Sequence, residues 1–223
     1  MIFRQYFRAG GAIAFFAAIA VSAFLVRTTH VQADNDDRNN SDARRIRIGL
    51  EGAPVPLNLK GKNPDLVGLG SYIVNFEAGC NGCHSAGPQT EFAPGGNPFF
   101  GERPEITNPA TYLGGGRNFG TLQPNTPAII SRNLTPDKTG KPIGGDSFEK
   151  FRHTIKTGID PDHLHPPCSA TVTTDCLHGP FDGDLLQIMP WWEYRRLTEH
   201  DLLAIYVYLS AVPCVAGPHN ECE

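Results

Sequence analysis

Two long stretches rich in glycine and proline, residues 85–132 and 159–190, limit what this chain of 223 residues can fold into. Neither stretch carries a sustained helical or strand periodicity, and loops of that length are uncommon in a compact domain unless something orders them. The whole chain holds 24 glycines and 19 prolines, which favours a loop-rich fold over one built of long strands. A large apolar group bound inside the domain would provide a surface on which such loops can pack.

Three helices are predicted from apolar residues at helical spacing and from capping residues. They cover residues 65–78, 148–157 and 199–211. Gly158 is a natural stop for the second helix, and Thr198 is a good N-cap for the third. Asp146 and Glu149 are spaced as a capping box at the start of the second helix. The predicted fold class is mostly α, with three to four short helices and long Gly/Pro-rich loop insertions.

The N-terminal 33 residues have the layout of a secretory signal peptide. Arg4 and Arg8 precede an apolar run over residues 9–26, and Val31-Gln32-Ala33 fits a small-residue cleavage site. The alternative is an uncleaved membrane anchor, because a run of this length is at the short limit for spanning a bilayer. With either fate, the rest of the chain is expected to be periplasmic or otherwise extracytoplasmic.

Composition divides the chain into three segments. Residues 1–33 are the signal peptide or N-terminal anchor, and residues 34–63 read as a flexible linker that opens with a polar run. Residues 64–223 are predicted to form one domain. The formal net charge of −4 provides no basic footprint for a nucleic-acid partner.

Cys80-Asn81-Gly82-Cys83-His84 is a C-x-x-C-H sequence, the attachment signature of haem c. Two cysteines at this spacing can both reach the vinyl groups of one porphyrin, and the histidine that follows is then placed beneath the iron. A zinc site would need a second pair at suitable spacing, and a redox dithiol would need a surrounding βαβ pattern. A plain disulfide is the third alternative. The adjacent histidine and the export signal favour one covalent haem c, with His84 as the proximal ligand.

Met189 is the predicted second axial ligand of the iron. It is the one methionine beyond Met1, and it lies in a proline-punctuated loop just before the last predicted helix. A thioether is a soft ligand, and His/Met coordination raises the reduction potential. The alternatives are Met189 as a core filler and a histidine as the distal ligand. The candidate histidines are His163, His165 and His178, and residues 161–166 also form a weak candidate site for another metal ion.

These features together resemble the monohaem class I c-type cytochromes, especially those associated with periplasmic dehydrogenases. The resemblance covers residues 65–213 and rests on four pieces. They are Gly70-Ser71-Tyr72-Ile73-Val74 ahead of Cys80–His84, Gly114-Gly115-Gly116-Arg117-Asn118-Phe119-Gly120, Asn133-Leu134-Thr135-Pro136-Asp137, and Met189-Pro190-Trp191 running into Leu197-Thr198-Glu199. The chain departs from the family in its longer span between His84 and Met189, with the extra length around residues 90–130 and 160–187.

The resemblance implies a class I cytochrome c fold in which the first and last helices cross, here with Phe76 and Tyr206 near the contact. It also implies that Arg117, Asn133 and Trp191 line the haem pocket. Without the resemblance, these three residues read as a surface cation, a turn residue and a core aromatic.

Four further cysteines, Cys168, Cys176, Cys214 and Cys222, allow three disulfide connectivities. Disulfides are the expected state in an exported protein. The local pairs Cys168–Cys176 and Cys214–Cys222 are favoured, since they would pin the 160–187 insertion and the C-terminal tail.

The function predicted from these features is electron transfer between redox partner proteins, such as a periplasmic dehydrogenase and a respiratory acceptor. No catalytic residue is predicted, and the chain is expected not to be an enzyme. The alternatives are a haem c enzyme or gas sensor with an open distal site, and a haem-bearing subunit of a larger oxidoreductase complex. His84 is expected to donate its second ring nitrogen to a backbone carbonyl in the 88–98 loop. Association with a membrane would depend on residues 9–26.

Overall fold

The computed structural model describes residues 41–162, 164–217, 220 and 222. The predicted signal peptide, with the apolar run over 9–26, lies outside these residues. Within the described ranges, no helix has both the length and the apolar character needed to cross a bilayer. The chain divides between Arg44 and Arg45 into two compact units, and the second unit contains all the predicted site residues.

The described chain consists of short helices and one small antiparallel sheet. The helices are α1 (residues 41–51), α2 (Pro64–Tyr72), α3 (Asn81–His84), α4 (Pro88–Glu91), α5 (Pro142–Gly145), α6 (Phe148–Thr157), α7 (Trp191–Tyr194) and α8 (Glu199–Leu209). A π-helical turn, Ile73–Glu77, continues α2, and a 3-10 turn covers Pro98–Phe100. Strands β1 (Asn118–Thr121) and β2 (Ala128–Ile130) pair in antiparallel fashion. The described chain is thus modestly helical with few strands, and both the mostly α class and the class I cytochrome fold stay predictions.

The predicted helices occur as α2 with its π-turn, α6 and α8. Helix α6 has the predicted bounds and ends at Gly158, whose φ of 79° is in the left-handed region that glycine tolerates. The predicted capping box of Asp146 and Glu149 is wrong, because the N-cap is Ser147, whose side chain accepts the Lys150 N–H. Helix α8 ends at Leu209, two residues earlier than expected.

Residues 45–63 are not the flexible linker that composition suggested. Residues up to 51 are helical, and α1 lies so close to α2 that a Cβ on Gly49 would be 1.9 Å from the Gly68 carbonyl oxygen. The Ser71 hydroxyl donates to the Gly49 carbonyl at 2.7 Å, and Val55 is 5% exposed within the core. Pro54 and Pro56 flank the buried Val55, and further along Asn58 N–H donates to the Ala211 carbonyl at 2.8 Å.

Helices α2 and α8 pack against each other at a glycine. A Cβ on Gly70 would be 2.0 Å from the Ala204 carbonyl oxygen and 2.6 Å from Tyr208 Cβ, so the absence of a side chain permits the approach. The contact residues are not the predicted ones. Phe76 is 52% exposed, and Tyr206 packs against the Phe148 ring at 5.5 Å.

The two long stretches remain mostly irregular, as predicted, although the first contains the unpredicted β1–β2 pair. Both local disulfides are present in the structure, Cys168–Cys176 and Cys214–Cys222. The remaining two cysteines, Cys80 and Cys83, are not paired with each other.

Candidate functional site

The Cys80–His84 segment follows the core helix after a sharp change of direction. The π-turn ends at Glu77, and Gly79 then takes a left-handed φ of 58°, which costs glycine little. Cys80 N–H donates to the Val74 carbonyl at 3.0 Å, and His84 N–H donates to the Cys80 carbonyl at 2.9 Å. The motif is therefore a single turn of helix, α3, tied directly to the buried end of α2.

His84 has its ring nitrogens in two different environments. Nδ1 lies 2.7 Å from the Arg132 carbonyl oxygen, so it carries the proton and donates. The predicted acceptor in the 88–98 loop is wrong, since the partner comes from a segment 48 residues away. Burial lowers the pKa of His84, which favours the neutral imidazole. Nε2 has no hydrogen-bond partner among the described residues, so its lone pair is left for a ligand bond.

The two cysteines of the motif lie near each other on the site. Cys80 is partly buried and Cys83 is exposed. Burial, with the neighbouring Cys83 second, raises the pKa of the Cys80 thiol to about 12. Directly after the motif, Ser85 Oγ is fully buried and makes no hydrogen bond with a described residue. A buried hydroxyl without a hydrogen-bond partner costs free energy of folding, and a group bound beside His84 could supply the partner that the Ser85 hydroxyl lacks.

Contacts from the first long loop hold the motif in place. The Arg117 guanidinium donates to the Gly82 carbonyl and lies 5.2 Å from the Phe119 ring. Leu113 N–H donates to the Asn81 side chain at 2.9 Å, and Gly115 N–H donates to the His84 carbonyl at 2.8 Å. Arg117, predicted to line a haem pocket, is thus in direct contact with the C-x-x-C-H motif.

Asn133 has a structural set of partners. Its side-chain amide donates to the Val215 carbonyl at 2.7 Å, and its oxygen accepts from the Thr135 N–H and hydroxyl at 2.8 and 2.7 Å. The side chain, 3% exposed, thus joins the C-terminal tail to residues 133–135. Its neighbour Arg132, not Asn133 itself, makes the contact with His84.

Met189 is partly buried and packs against the hydrophobic core just before α7. Two residues later, the Trp191 indole lies on Gly158, where a Cβ would be 2.4 Å from the ring. The end of α7 lies beside the residues that lead into the C-x-x-C-H motif, since the Tyr194 hydroxyl donates to the Ala78 carbonyl at 3.3 Å. Cys80 and Cys83 contribute, after burial, to raising the pKa of Tyr194. The Met189 segment is therefore fastened both to α6 and to the residues leading into α3.

The histidines proposed as alternative ligands belong to the second insertion. His163 lies outside the described residues, His165 Nδ1 is 3.3 Å from the Asp175 carbonyl, and His178 is exposed with its backbone bound to Gln123. In the part of the chain that the structure describes, no three His, Cys, Asp or Glu side chains are grouped to hold a metal ion.

A buried tyrosine network beside the motif was not foreseen from the sequence. The Tyr112 hydroxyl donates to Asn75 Oδ1 at 2.5 Å and lies 2.7 Å from the Tyr208 hydroxyl. Burial raises the pKa values of both tyrosines, so both are neutral hydroxyls, and Cys80 adds to each shift. Asn75, Tyr112 and Tyr208 come from α2's π-turn, a loop and α8, and no spacing in the sequence links them.

Searches of protein-family models, curated proteins and solved structures with this chain return no match.

Proposed function

We propose that this protein transfers single electrons through one covalently bound haem c, attached at Cys80 and Cys83 and ligated by His84 and Met189. The observation that carries the proposal is the state of His84. Its Nδ1–H is held by the Arg132 carbonyl, its Nε2 is free among the described residues, and it ends a helical turn that carries two unpaired cysteines. A histidine ligand in proteins usually has its second ring nitrogen fixed in this way.

The residues present fit a haem. Cys80 and Cys83 would hold it through two thioether bonds to its vinyl groups, each formed by addition of S–H across the double bond with no atom lost. When bound, the haem supplies an iron that cycles between the ferrous and ferric states. The disulfides at Cys168–Cys176 and Cys214–Cys222 leave Cys80 and Cys83 available for this chemistry.

The chain's own residues would position this group. The Arg132 carbonyl fixes the His84 ring and raises its basicity, while Arg117 and Asn81 hold the turn on which the cysteines lie. The clamping of Trp191 on Gly158 limits how far the Met189 loop can move. Met189 is the residue of this loop with a soft donor atom, and it would supply the sixth ligand.

Electron transfer requires no acid–base machinery at the site, which is why we favour it over a haem enzyme or a gas sensor. The proposed partners are a dehydrogenase that donates electrons and a respiratory acceptor, such as an oxidase or another cytochrome. The proposed compartment is the periplasm or another extracytoplasmic space, either as a free carrier or as a subunit of a larger oxidoreductase complex.

Variants of the motif and of Met189, coexpressed with a haem c maturation system and exported, test the proposal. Cys80→Ala with Cys83→Ala should abolish covalent haem, whereas Cys168→Ser with Cys176→Ser should retain it. Met189→Leu keeps an apolar side chain of similar size but removes the sulfur. This variant should keep covalent haem, lose the near-infrared band of a Met–iron bond and bind carbon monoxide when reduced. An unchanged band in Met189→Leu would refute the ligand assignment.

A further inference from the structure

A cluster of charged side chains surrounds the guanidinium of Arg132, whose backbone carbonyl binds His84. We call it the Arg132 cluster, and its members are Arg132, Asp146, Lys150, Asp160 and Asp162. Arg132 Nη1 is 3.0 Å from Asp146 Oδ2, and Arg132 Nη2 is 3.2 Å from Asp160 and 3.3 Å from Asp162. Lys150 Nζ is 2.7 Å from Asp146 Oδ1 and also pairs with Asp162. The guanidinium thus has three carboxylate partners.

The inner part of the cluster is shielded from water. The side chains of Arg132, Asp146 and Asp160 are 25%, 12% and 8% exposed, respectively. Ion pairs at such positions are less screened by salt than pairs on the open surface, and a network of several charges holds its members more firmly than an isolated pair does. The guanidinium is therefore a firm anchor for the residue that carries it.

The peptide of Arg132 is held from its other side as well. Gly115, at a left-handed φ of 69°, lies so close that a Cβ would be 2.5 Å from the Arg132 carbonyl carbon. Gly116 N–H donates to the Ser131 carbonyl at 2.8 Å, and Leu134 N–H donates to the Leu113 carbonyl at 2.8 Å. Contacts with the glycine loop therefore fix the path of residues 131–134.

We propose that Arg132 is a positioning residue that sets the reduction potential through His84. Its side chain is anchored by Asp146, Asp160 and Asp162, and its carbonyl accepts the proton of His84 Nδ1. This inference rests on the proposed haem function. A short hydrogen bond to Nδ1–H makes the imidazole a more basic ligand, which favours ferric iron and lowers the potential. Loss of the anchor should lengthen this bond and raise the potential.

A purely structural role for the cluster makes a different prediction. Asp160 and Asp162 begin the segment after α6, and the ion pairs join that segment to α6 and to the 131–134 strand of chain. If the cluster served only this purpose, its loss would lower stability and leave the exchange of the His84 Nδ1 proton unchanged. The potential would then shift only through the removed charge, downward in Arg132→Gln and upward in Asp162→Asn. The potential and the environment of the His84 ring are therefore the readouts that separate the two roles.

The experiment uses the full haem-loaded protein and compares Arg132→Gln, Arg132→Lys and the milder Asp162→Asn with the wild type. All three keep the backbone carbonyl. Arg152→Gln is the matched control, because it removes an arginine from a carboxylate, Glu199 at 2.5 Å, in a pair with no contact to His84. Redox titration gives the midpoint potential, and NMR gives the solvent exchange of the His84 Nδ1 proton.

Arg132→Gln should raise the midpoint potential. At a fixed applied potential, the ferrous-to-ferric ratio should increase several-fold to tenfold, and a tenfold increase corresponds to about 59 mV for one electron. Exchange of the Nδ1 proton should become faster. Arg132→Lys and Asp162→Asn should give smaller changes in the same direction, and Arg152→Gln should give none. An unchanged potential and exchange rate in Arg132→Gln, with haem retained and the fold intact, would overturn the inference. Absence of covalent haem in the wild type would instead overturn the proposed function.

Discussion

Replacement of Gly70 by alanine tests how the first and last helices of the domain are held together. The Cβ that the variant introduces would lie 2.0 Å from the Ala204 carbonyl oxygen and 2.6 Å from Tyr208 Cβ. Because real Cβ contacts do not fall below 3.0 Å, α2 and α8 must move apart by about 1 Å at this point. The neighbour at 2.0 Å is backbone, which cannot rotate away as a flexible side chain can.

The magnitude follows from two opposing effects. Overpacking of a tight core costs about 1–3 kcal/mol, and a clash with backbone belongs at the upper end of that range. Alanine stabilises a helix interior by about 1 kcal/mol relative to glycine. The net loss in the free energy of unfolding should be about 2 kcal/mol, which lowers the Tm by about 4–8 °C in a chain of this size.

Thermal and denaturant unfolding, followed by circular dichroism, measure this loss. Gly217→Ala is the matched control, because its Cβ would meet nothing closer than 3.6 Å and its φ is not in the left-handed region. The control should stay within about 0.5 kcal/mol of the wild type. If Gly70→Ala were as stable as the wild type, or more stable, the close approach of α2 and α8 would be refuted.

Two further perturbations test the surroundings of the site. Tyr112→Phe leaves Asn75 Oδ1 without its donor and removes one partner of the Tyr208 hydroxyl, which keeps the bond from Asn75 Nδ2 at 3.1 Å, so it should cost about 1–3 kcal/mol in urea unfolding. Tyr72→Phe, whose hydroxyl bonds to no described residue, should cost little, and equal losses in the two variants would contradict the network. Asp137 accepts hydrogen bonds from the Thr139 hydroxyl and from two backbone N–H groups. These bonds, the one from the Thr139 hydroxyl above all, lower the pKa of the Asp137 carboxyl. Its stabilising contribution is therefore present above the pKa of the unfolded chain and is lost as the pH falls through the lower folded value. The stability difference between the wild type and Asp137→Asn should shrink as the pH is lowered from 6 to 3, and a difference that grows in acid would contradict this reading.

The local signals in the sequence predicted local structure well. Helix α6 and its glycine stop, the Thr198 cap of α8 and the two short-range disulfides all depend on residues within about one or two turns of each other. Apart from the capping box, which was placed one residue too early, the failures involve contacts between distant segments. Residues 45–63 were predicted to be a linker from composition alone. Gly49 permits the close approach of α1 to Gly68 in α2, and no local pattern in the sequence indicates that contact.

The candidate site shows the same division. The C-x-x-C-H motif is contiguous and was visible at once, whereas the acceptor for His84 lies 48 residues away and is a backbone carbonyl. Every residue except proline offers the same carbonyl and N–H, so no residue type marks Arg132 as that partner. Asn133 was singled out through the resemblance, and it lies one residue from this acceptor with its own polar atoms bound to Val215 and Thr135.

Covalent haem and its axial ligands are tested together by the absorption spectrum of the purified wild-type protein, oxidised and reduced, combined with extraction in acid-acetone. We predict that the haem stays with the polypeptide after extraction and that the oxidised protein shows the weak near-infrared band of a Met–iron bond. Haem that is retained without this band would remove Met189 as a ligand and favour an enzyme or sensor with an open distal site. A polypeptide that carries no haem would contradict the central claim, and Cys80 and Cys83 would then act as a disulfide or a metal-binding pair.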